Sequence, residues 1–287
     1  MDFPRRHFLS ATALGSAAML IGRDVKASDA VAETTEVMPQ AKVRIGLNTS
    51  TIREQKLPLP KQIEVAAQAG FDAIEPWVRD IVAYEAAGGS LETIRKMAAD
   101  ANLEICSAIG FAKWIVDDPQ QRQRGLDEAA ADMRRVAAIG GKHIAAPPIG
   151  AHRPDHPKPS LDVIAKRYSA LCELGKREGV QPQLELWGFS PTLSKLEELV
   201  YVATAAAHPS ACMLPDFYHV YKGGNDFAGL RMLEASAMPN FHINDYPADP
   251  PQNAIADRHR VFPGDGICPL PELIGDLIRR GFRGCFS

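Results

Sequence analysis

Gln68-Ala-Gly-Phe-Asp-Ala-Ile-Glu75 reads as a helix that ends at Gly70 and delivers the chain into a short buried strand, Asp72–Glu75. Glycine suits the left-handed residue that closes a helix. Arg280-Gly-Phe-Arg-Gly284 repeats the phrase near the end of the chain. Outward from these two points one rhythm recurs. Short apolar runs at Val43–Leu47, Asp72–Glu75, Glu104–Ile109, His143–Ala146, Gln183–Trp187, Cys212–Leu214 and Phe241–Asn244 alternate with Ala/Leu/Glu/Lys-rich stretches such as Leu91–Ala101 and Ala129–Ile139. Strand–helix alternation implies parallel pairing through helical crossovers. Seven units and the start of an eighth, over residues 43–287, match the about 250 residues of an α/β fold of the (β/α)8 TIM barrel type. A doubly wound open sheet is the rival, weakened by the absence of a G-x-G-x-x-G, a Walker loop or a G-x-S-x-G elbow. The eighth unit is incomplete, so strands one and seven are expected to present unpaired edges.

Composition agrees with a globular chain. Of 287 residues, 46% are hydrophobic and 23% charged, and the net charge is −3, so no large positive field exists to hold nucleic acid. Five cysteines, Cys106, Cys172, Cys212, Cys268 and Cys285, lie far apart with no CxxC, which argues for buried apolar thiols over a zinc ribbon or a disulfide framework.

The N-terminus reads as an address. Arg5-Arg6-His7-Phe8-Leu9 precedes an apolar run from Ala11 to Ile21, and small residues recur at Val25/Ala27. That order describes an export signal of the twin-arginine type over residues 1–27, although Pro4 stands where Ser or Thr is usual. The apolar run is too short for the about 20 residues of a spanning helix, so no stable membrane anchor is expected after cleavage. Residues 28–42 read as a linker and 43–287 as the barrel. The expected location is periplasmic or secreted.

Chemistry in such barrels collects at the C-terminal ends of the strands. Those positions offer Glu75, Glu185, Asp216, His219 and His242. Glu185, in Gln183-Leu-Glu-Leu-Trp-Gly188, needs a partner, because an unpaired buried carboxylate costs several kcal/mol. Asp216 either joins a site or caps a turn, and Glu75 either faces the mouth or pairs with Arg79. Two carboxylates and an imidazole on three successive strands suit one divalent ion, Mn²⁺, Mg²⁺, Co²⁺ or Zn²⁺.

The segments Gly70-Phe-Asp-Ala-Ile-Glu-Pro-Trp77, Leu184-Glu-Leu-Trp-Gly188, Asp216-Phe-Tyr-His219, Phe241-His-Ile-Asn-Asp245 and Arg260-Val-Phe-Pro-Gly-Asp-Gly266 resemble the xylose isomerase-like TIM-barrel superfamily, in its sugar phosphate isomerase/epimerase group. The resemblance is nearest to inosose isomerases and ketose 3-epimerases. It implies one metal held by Glu185, Asp216, His242 and a glutamate on strand eight, with His219 either behind the ligands or contacting substrate, Arg260 holding substrate oxygens and two glutamates, one of them Glu185, exchanging the substrate proton. Glu75, Trp187 and Trp114 are expected to line the substrate pocket, with Phe217 as a further wall. No acidic residue follows Asp276, so a truncated chain is expected, the alternative being a protein that lacks both the fourth ligand and one of the two acid/base groups.

The reaction implied is isomerisation or epimerisation of a small sugar or polyol-derived ketone through an enediolate. An exported sugar-binding barrel without turnover is the alternative. A further one is an endonuclease IV-like phosphodiesterase, to which Asp257-Arg258-His259 offers an extra metal pair, Asp257 and His259. That enzyme needs histidines on strands two and three, whereas none lies between His7 and His143. The expected partner is a small molecule and not nucleic acid, with room for a homo-oligomer.

Overall fold

A computed structural model describes residues 43–287. The readings of residues 1–27 and 28–42 fall outside the described residues. The described residues form eight parallel strands, β1 (Arg44–Asn48), β2 (Ala73–Glu75), β3 (Glu104–Ile105), β4 (His143–Ala146), β5 (Gln181–Glu185), β6 (Met213–Leu214), β7 (Asn240–Phe241) and β8 (Cys285–Phe286), connected through eight α-helices, two of them between β2 and β3. These are α1 (Leu59–Gln68), α2 (Val78–Ala86), α3 (Leu91–Asp100), α4 (Pro119–Ala138), α5 (Leu161–Glu178), α6 (Leu196–Ala205), α7 (Phe217–Lys222) and α8 (Leu270–Arg279).

The ladders run β3-β2-β1-β8-β7 and β4-β5-β6. Backbone hydrogen bonds beyond the strand ends close both gaps. Ala145 N–H donates to the Ala108 carbonyl at 2.8 Å, joining β3 to β4, and His242 N–H donates to the Pro215 carbonyl at 3.0 Å, joining β6 to β7. The ring is a TIM barrel. The expected open edges are not found, because β8 pairs with β1 through Arg44↔Cys285 and with β7 through Asn240↔Cys285. Two residues of strand are enough to occupy both neighbours' ladders.

Three elements depart from the sequence reading for identifiable reasons. β3 was expected to reach Ile109, yet its ladder stops at Ile105. Pairing moves from Ile74↔Ile105 to Trp77↔Ile109, so β3 carries one residue more than β2 across the same span. That is a bulge, placed where Pro76 has no N–H to give. α4 begins ten residues before the expected Ala129, at Pro119. Asp118 caps it by accepting from Gln121 N–H at 2.6 Å, and the polar run Pro119–Gly125 hides the helical period. β5 starts at Gln181, two residues earlier than expected, directly after Gly179 ends α5 in the left-handed conformation.

Leucine, isoleucine, valine and alanine from both helices and strands form one continuous core, the usual filling between a barrel and its helical jacket. All five cysteines are free and buried. Inside the barrel Gly46 makes room for two of them, since a Cβ there would sit 2.8 Å from the Cys285 sulfur and 3.4 Å from that of Cys106.

Candidate active site

Strand geometry sets the site. Alternate residues face inward, so β5 turns both Gln183 and Glu185 into the barrel and β7 does the same with Asn240 and, one step past its end, His242. Asp216 follows β6 and bridges to His242 in parallel register. Glu75 ends β2. All four side chains are buried.

His242 is the centre. Its Nε2 donates to Glu75 Oε2 at 2.9 Å, while its Nδ1 lies 4.0 Å from Glu185 Oε1 and 3.9 Å from Asp216 Oδ2. Those two separations are too long for hydrogen bonds. They fall within the about 4.4 Å that two bonds of up to 2.2 Å to a shared cation permit. Glu75 Oε2 also accepts from Asn48 Nδ2 at 2.8 Å and from Ser287 Oγ at 2.9 Å. Asp216 has a double role: Oδ1 caps α7 by accepting from Tyr218 N–H at 2.7 Å, and Oδ2 accepts from Asn244 Nδ2 at 2.7 Å. Glu185 Oε2 and Glu75 Oε1 are buried without a hydrogen-bond partner.

The electrostatics follow from three carboxyl groups facing one imidazole. Burial pushes Glu185 up to about 7, against the pull of His242. Burial also raises Asp216, with His242 and Arg260 opposing. At Glu75 burial acts upward, but His242 and the hydrogen bonds from Ser287 and Asn48 win and hold it below its ordinary value. Burial disfavours a charged His242, yet Glu75, Glu185 and Asp216 together lift it to about 9. The cluster therefore holds more negative than positive charge in a place where unpaired charge costs several kcal/mol.

Around it the mouth is aromatic. Trp77 lies 5.1 Å from Phe111, Phe111 lies 6.4 Å from Trp187, Trp187 lies 5.1 Å from Phe189, and Phe189 lies 5.7 Å from His219. His219 is buried, and burial with nearby Arg260 and His242 holds it well below its ordinary value, so it is neutral. The Arg260 guanidinium stands 5.4 Å from the Tyr218 ring centre, close enough to act on both Asp216 and His219. The Phe-Pro-Gly-Asp-Gly266 segment encloses the buried Asp245, whose Oδ2 accepts from Gly264 and Gly266 N–H at 3.0 Å each. A Cβ on Gly266 would lie 2.2 Å from Asp245 Oδ1.

The structure thus brings together Glu185, Asp216, His242 and Glu75, with His219, Arg260 and Trp187 beside them. It places others elsewhere. Trp114 is buried outside the strand ring, 6.0 Å from Tyr168, with its indole N–H on the Pro147 carbonyl at 2.9 Å. Phe217 packs 4.5 Å from Phe241 in the core. Asp257 and His259 lie in a short 3-10 turn next to Arg260; Asp257 acts on Tyr218 at the rim, and His259 Nδ1 accepts from Ala256 N–H at 3.0 Å. Glu75 pairs with His242 and not with Arg79, which lies over the Trp77 ring at 4.2 Å. Asn48, Asn244 and Ser287 were not anticipated. Each is a small polar residue whose role exists only once distant strands meet.

A cation is the group this donor set fits in kind: the carboxylates of Glu185, with its unpartnered buried Oε2, and Asp216, and one imidazole nitrogen. Among the described residues no three His, Cys, Asp or Glu side chains stand close enough together to hold a metal ion as they are placed, so the fit is one of donor chemistry.

Over residues 63–287 the sequence matches the family described as xylose isomerase-like TIM barrel. The chain belongs to this family. Among curated relatives it is 21% identical to a 3-dehydroshikimate dehydratase of Pseudomonas putida, over 80% of this chain and only 35% of that protein. The chain therefore spans about a third of that relative's length. It is 24% identical to the fructoselysine 3-epimerase of Escherichia coli O157:H7, over 82% of this chain and 86% of that one. Among solved structures, a crystal structure of the IOLI protein with a bound zinc atom superposes with a TM-score of 0.75 at 20% identity, covering 85% of this chain and 88% of the other. At that identity the superposition speaks for the xylose isomerase-like fold.

Proposed function

We propose that this chain is a metal-dependent isomerase or epimerase of a small sugar or polyol-derived ketone. The observation that carries the reading is the buried excess of negative charge around His242, with Glu185 Oε2 buried and making no hydrogen bond. Glu185, Asp216 and His242 would hold the ion. A bound divalent cation supplies a Lewis acid for the substrate carbonyl.

The residues supply the rest. Glu185 removes the proton from the carbon next to the carbonyl, giving an enediolate, and delivers it to the former carbonyl carbon, while the hydroxyl proton passes to the other oxygen, so that carbonyl and hydroxyl exchange places. A cation held at Glu185 would keep its carboxylate ionised, so its position against the substrate carbon rather than its proton affinity decides the exchange. Arg260, at the rim, is placed to pair with substrate oxygens. The aromatic arc from Trp77 to His219 excludes water from the reacting carbon. The relatives that match over most of this chain include a fructoselysine 3-epimerase and an inosose isomerase, which supports the substrate class.

The test is exchange of a substrate C–H with solvent deuterium, followed by NMR over a panel of ketoses and inososes. Exchange is expected with Mn²⁺, Co²⁺ or Zn²⁺ and is lost on chelation. Ligand-dependent thermal stabilisation without exchange would instead support the sugar-binding barrel. Under the export reading of residues 1–27 the substrate is met outside the cytoplasm. Replacing Arg5-Arg6 by Lys-Lys and following the chain between cell fractions tests that part.

A further inference from the structure

The orientation of the His242 ring is not set by the carboxylates it would share an ion with. Glu185 and Asp216 stand 4.0 and 3.9 Å from its Nδ1, beyond hydrogen-bond range. The ring is held from the opposite side, where Nε2 lies 2.9 Å from Glu75 Oε2. That oxygen is itself fixed, by Asn48 Nδ2 at 2.8 Å and Ser287 Oγ at 2.9 Å. Asn48 is fixed in turn: its Oδ1 accepts from the Trp77 indole N–H at 3.2 Å and from Ser50 N–H at 3.0 Å. Glu75 has no exposed surface, so a substrate in the mouth does not reach it.

A carboxylate only accepts hydrogen bonds. The nitrogen facing Glu75 must therefore carry hydrogen, and in the neutral ring the lone pair is left on Nδ1. The geometry points to Glu75 as the positioning residue of this site: it holds His242 with Nε2–H toward β2 and Nδ1 toward Glu185 and Asp216, so that Nδ1 is the nitrogen offered to the cation. The Asn48–Trp77 pair and Ser287 keep Glu75 in register. This assignment rests on the metal-dependent reading and replaces the expectation that Glu75 touches substrate.

The experiment measures Zn²⁺ affinity of the full chain by competition with a chromophoric chelator, and the visible spectrum of the Co²⁺-loaded protein, for wild type, Glu75→Ala and Glu75→Gln. Removing an outer partner of a metal-bound histidine typically weakens binding by about 10–100-fold. Glu75→Ala is expected to do so and to shift the Co²⁺ bands. Glu75→Gln keeps an oxygen acceptor for Nε2–H and is expected to recover most of the affinity. Wild-type affinity in Glu75→Ala, or equal losses in both variants, overturns the assignment. Should Glu75→Ala fail to fold, ¹⁵N-histidine NMR of the wild type decides: at a pH where the His242 ring is neutral, hydrogen on Nε2 supports the role and hydrogen on Nδ1 overturns it. That measurement needs no metal. Wild-type protein that binds neither ion but shows the Nε2–H form would sink the metal reading while leaving the positioning of His242 intact.

Discussion

Two layers of the barrel interior lie two residues apart on the same strands and treat their polar groups in opposite ways. In the lower layer Gln183 Nε2 donates to Ser107 Oγ at 2.9 Å, and Asn240 Nδ2 donates to Gln183 Oε1 at 3.1 Å and to the Cys106 carbonyl at 3.2 Å. These groups are neutral and bond to one another. The upper layer, Glu75, Glu185, Asp216 and His242, is charged and leaves two buried carboxylate oxygens without partners. A closed neutral network rigidifies a core, whereas an open charged one spends stability to keep bonding capacity for something else. The contrast separates scaffold from site without reference to any relative.

The largest effect should come from the upper layer. Glu185→Gln is expected to lower substrate proton exchange by about 10²–10⁴-fold, the usual worth of a positioned general base. It should leave the folded state at least as stable in chemical denaturation, since it removes a buried charge. Retained exchange together with a large loss of stability would make the upper layer scaffold after all.

Gln183→Leu should do the reverse. It strands Ser107 Oγ and one of the hydrogens that Asn240 donates, at a cost of about 1–3 kcal/mol for groups left unsatisfied in the core. Denaturation should report that loss, while Zn²⁺ affinity of the folded protein stays at the wild-type value. A change in affinity with no change in stability would erase the distinction between the layers.

The sequence made much of this visible, and the reasons differ by residue. Strand–helix alternation and the helix-ending glycines gave the barrel, because both are local signals. Glu185, Asp216 and His242 were legible since each is a polar residue near the end of an apolar run. The Glu75–His242 pair was not, since it joins β2 to β7 across 167 residues and nothing near Glu75 names its partner. Arg79, four residues away, was the nearer suggestion. Trp114 misled for a related reason: an aromatic after β3 reads as a mouth residue until the bulge at residues 105–109 and the packing on Tyr168 turn it into the core. The closure of β8 on β1 and β7 depends on only two residues, too few for any periodic pattern to register.

A buried carboxyl group outside the barrel interior offers a control for the upper layer. Asp132 on α4 is pushed up to about 6 by burial and by Glu128, with Arg135 opposing. Its folded form therefore binds a proton more tightly than the unfolded chain. The contribution to stability is full below about pH 4 and is lost as pH rises through about 6. Asp132→Asn should flatten that decline by about 1–2 kcal/mol, allowing for solvent screening near a helix surface, and leave metal affinity untouched. If the decline persists undiminished in the variant, it originates elsewhere, with the upper layer the first place to look.

The smallest effect tests the charge balance on which the upper layer depends. If Arg79 were the counterion of Glu75, the cluster would be closer to neutral and would have less need of a cation. The structure instead sets the Arg79 guanidinium 4.2 Å from the centre of the Trp77 ring, with its side chain 58% exposed. A cation over an aromatic face at such a site is worth about 0.5–1 kcal/mol, whereas removing one partner of a buried ion pair costs about 3–5 kcal/mol. Arg79→Ala should therefore lower stability by less than about 1 kcal/mol, read from denaturant midpoints at constant slope, and leave Zn²⁺ affinity at the wild-type value. A loss several times larger would place a compensating charge beside Glu75 and remove the excess that makes the upper layer differ from the one beneath it.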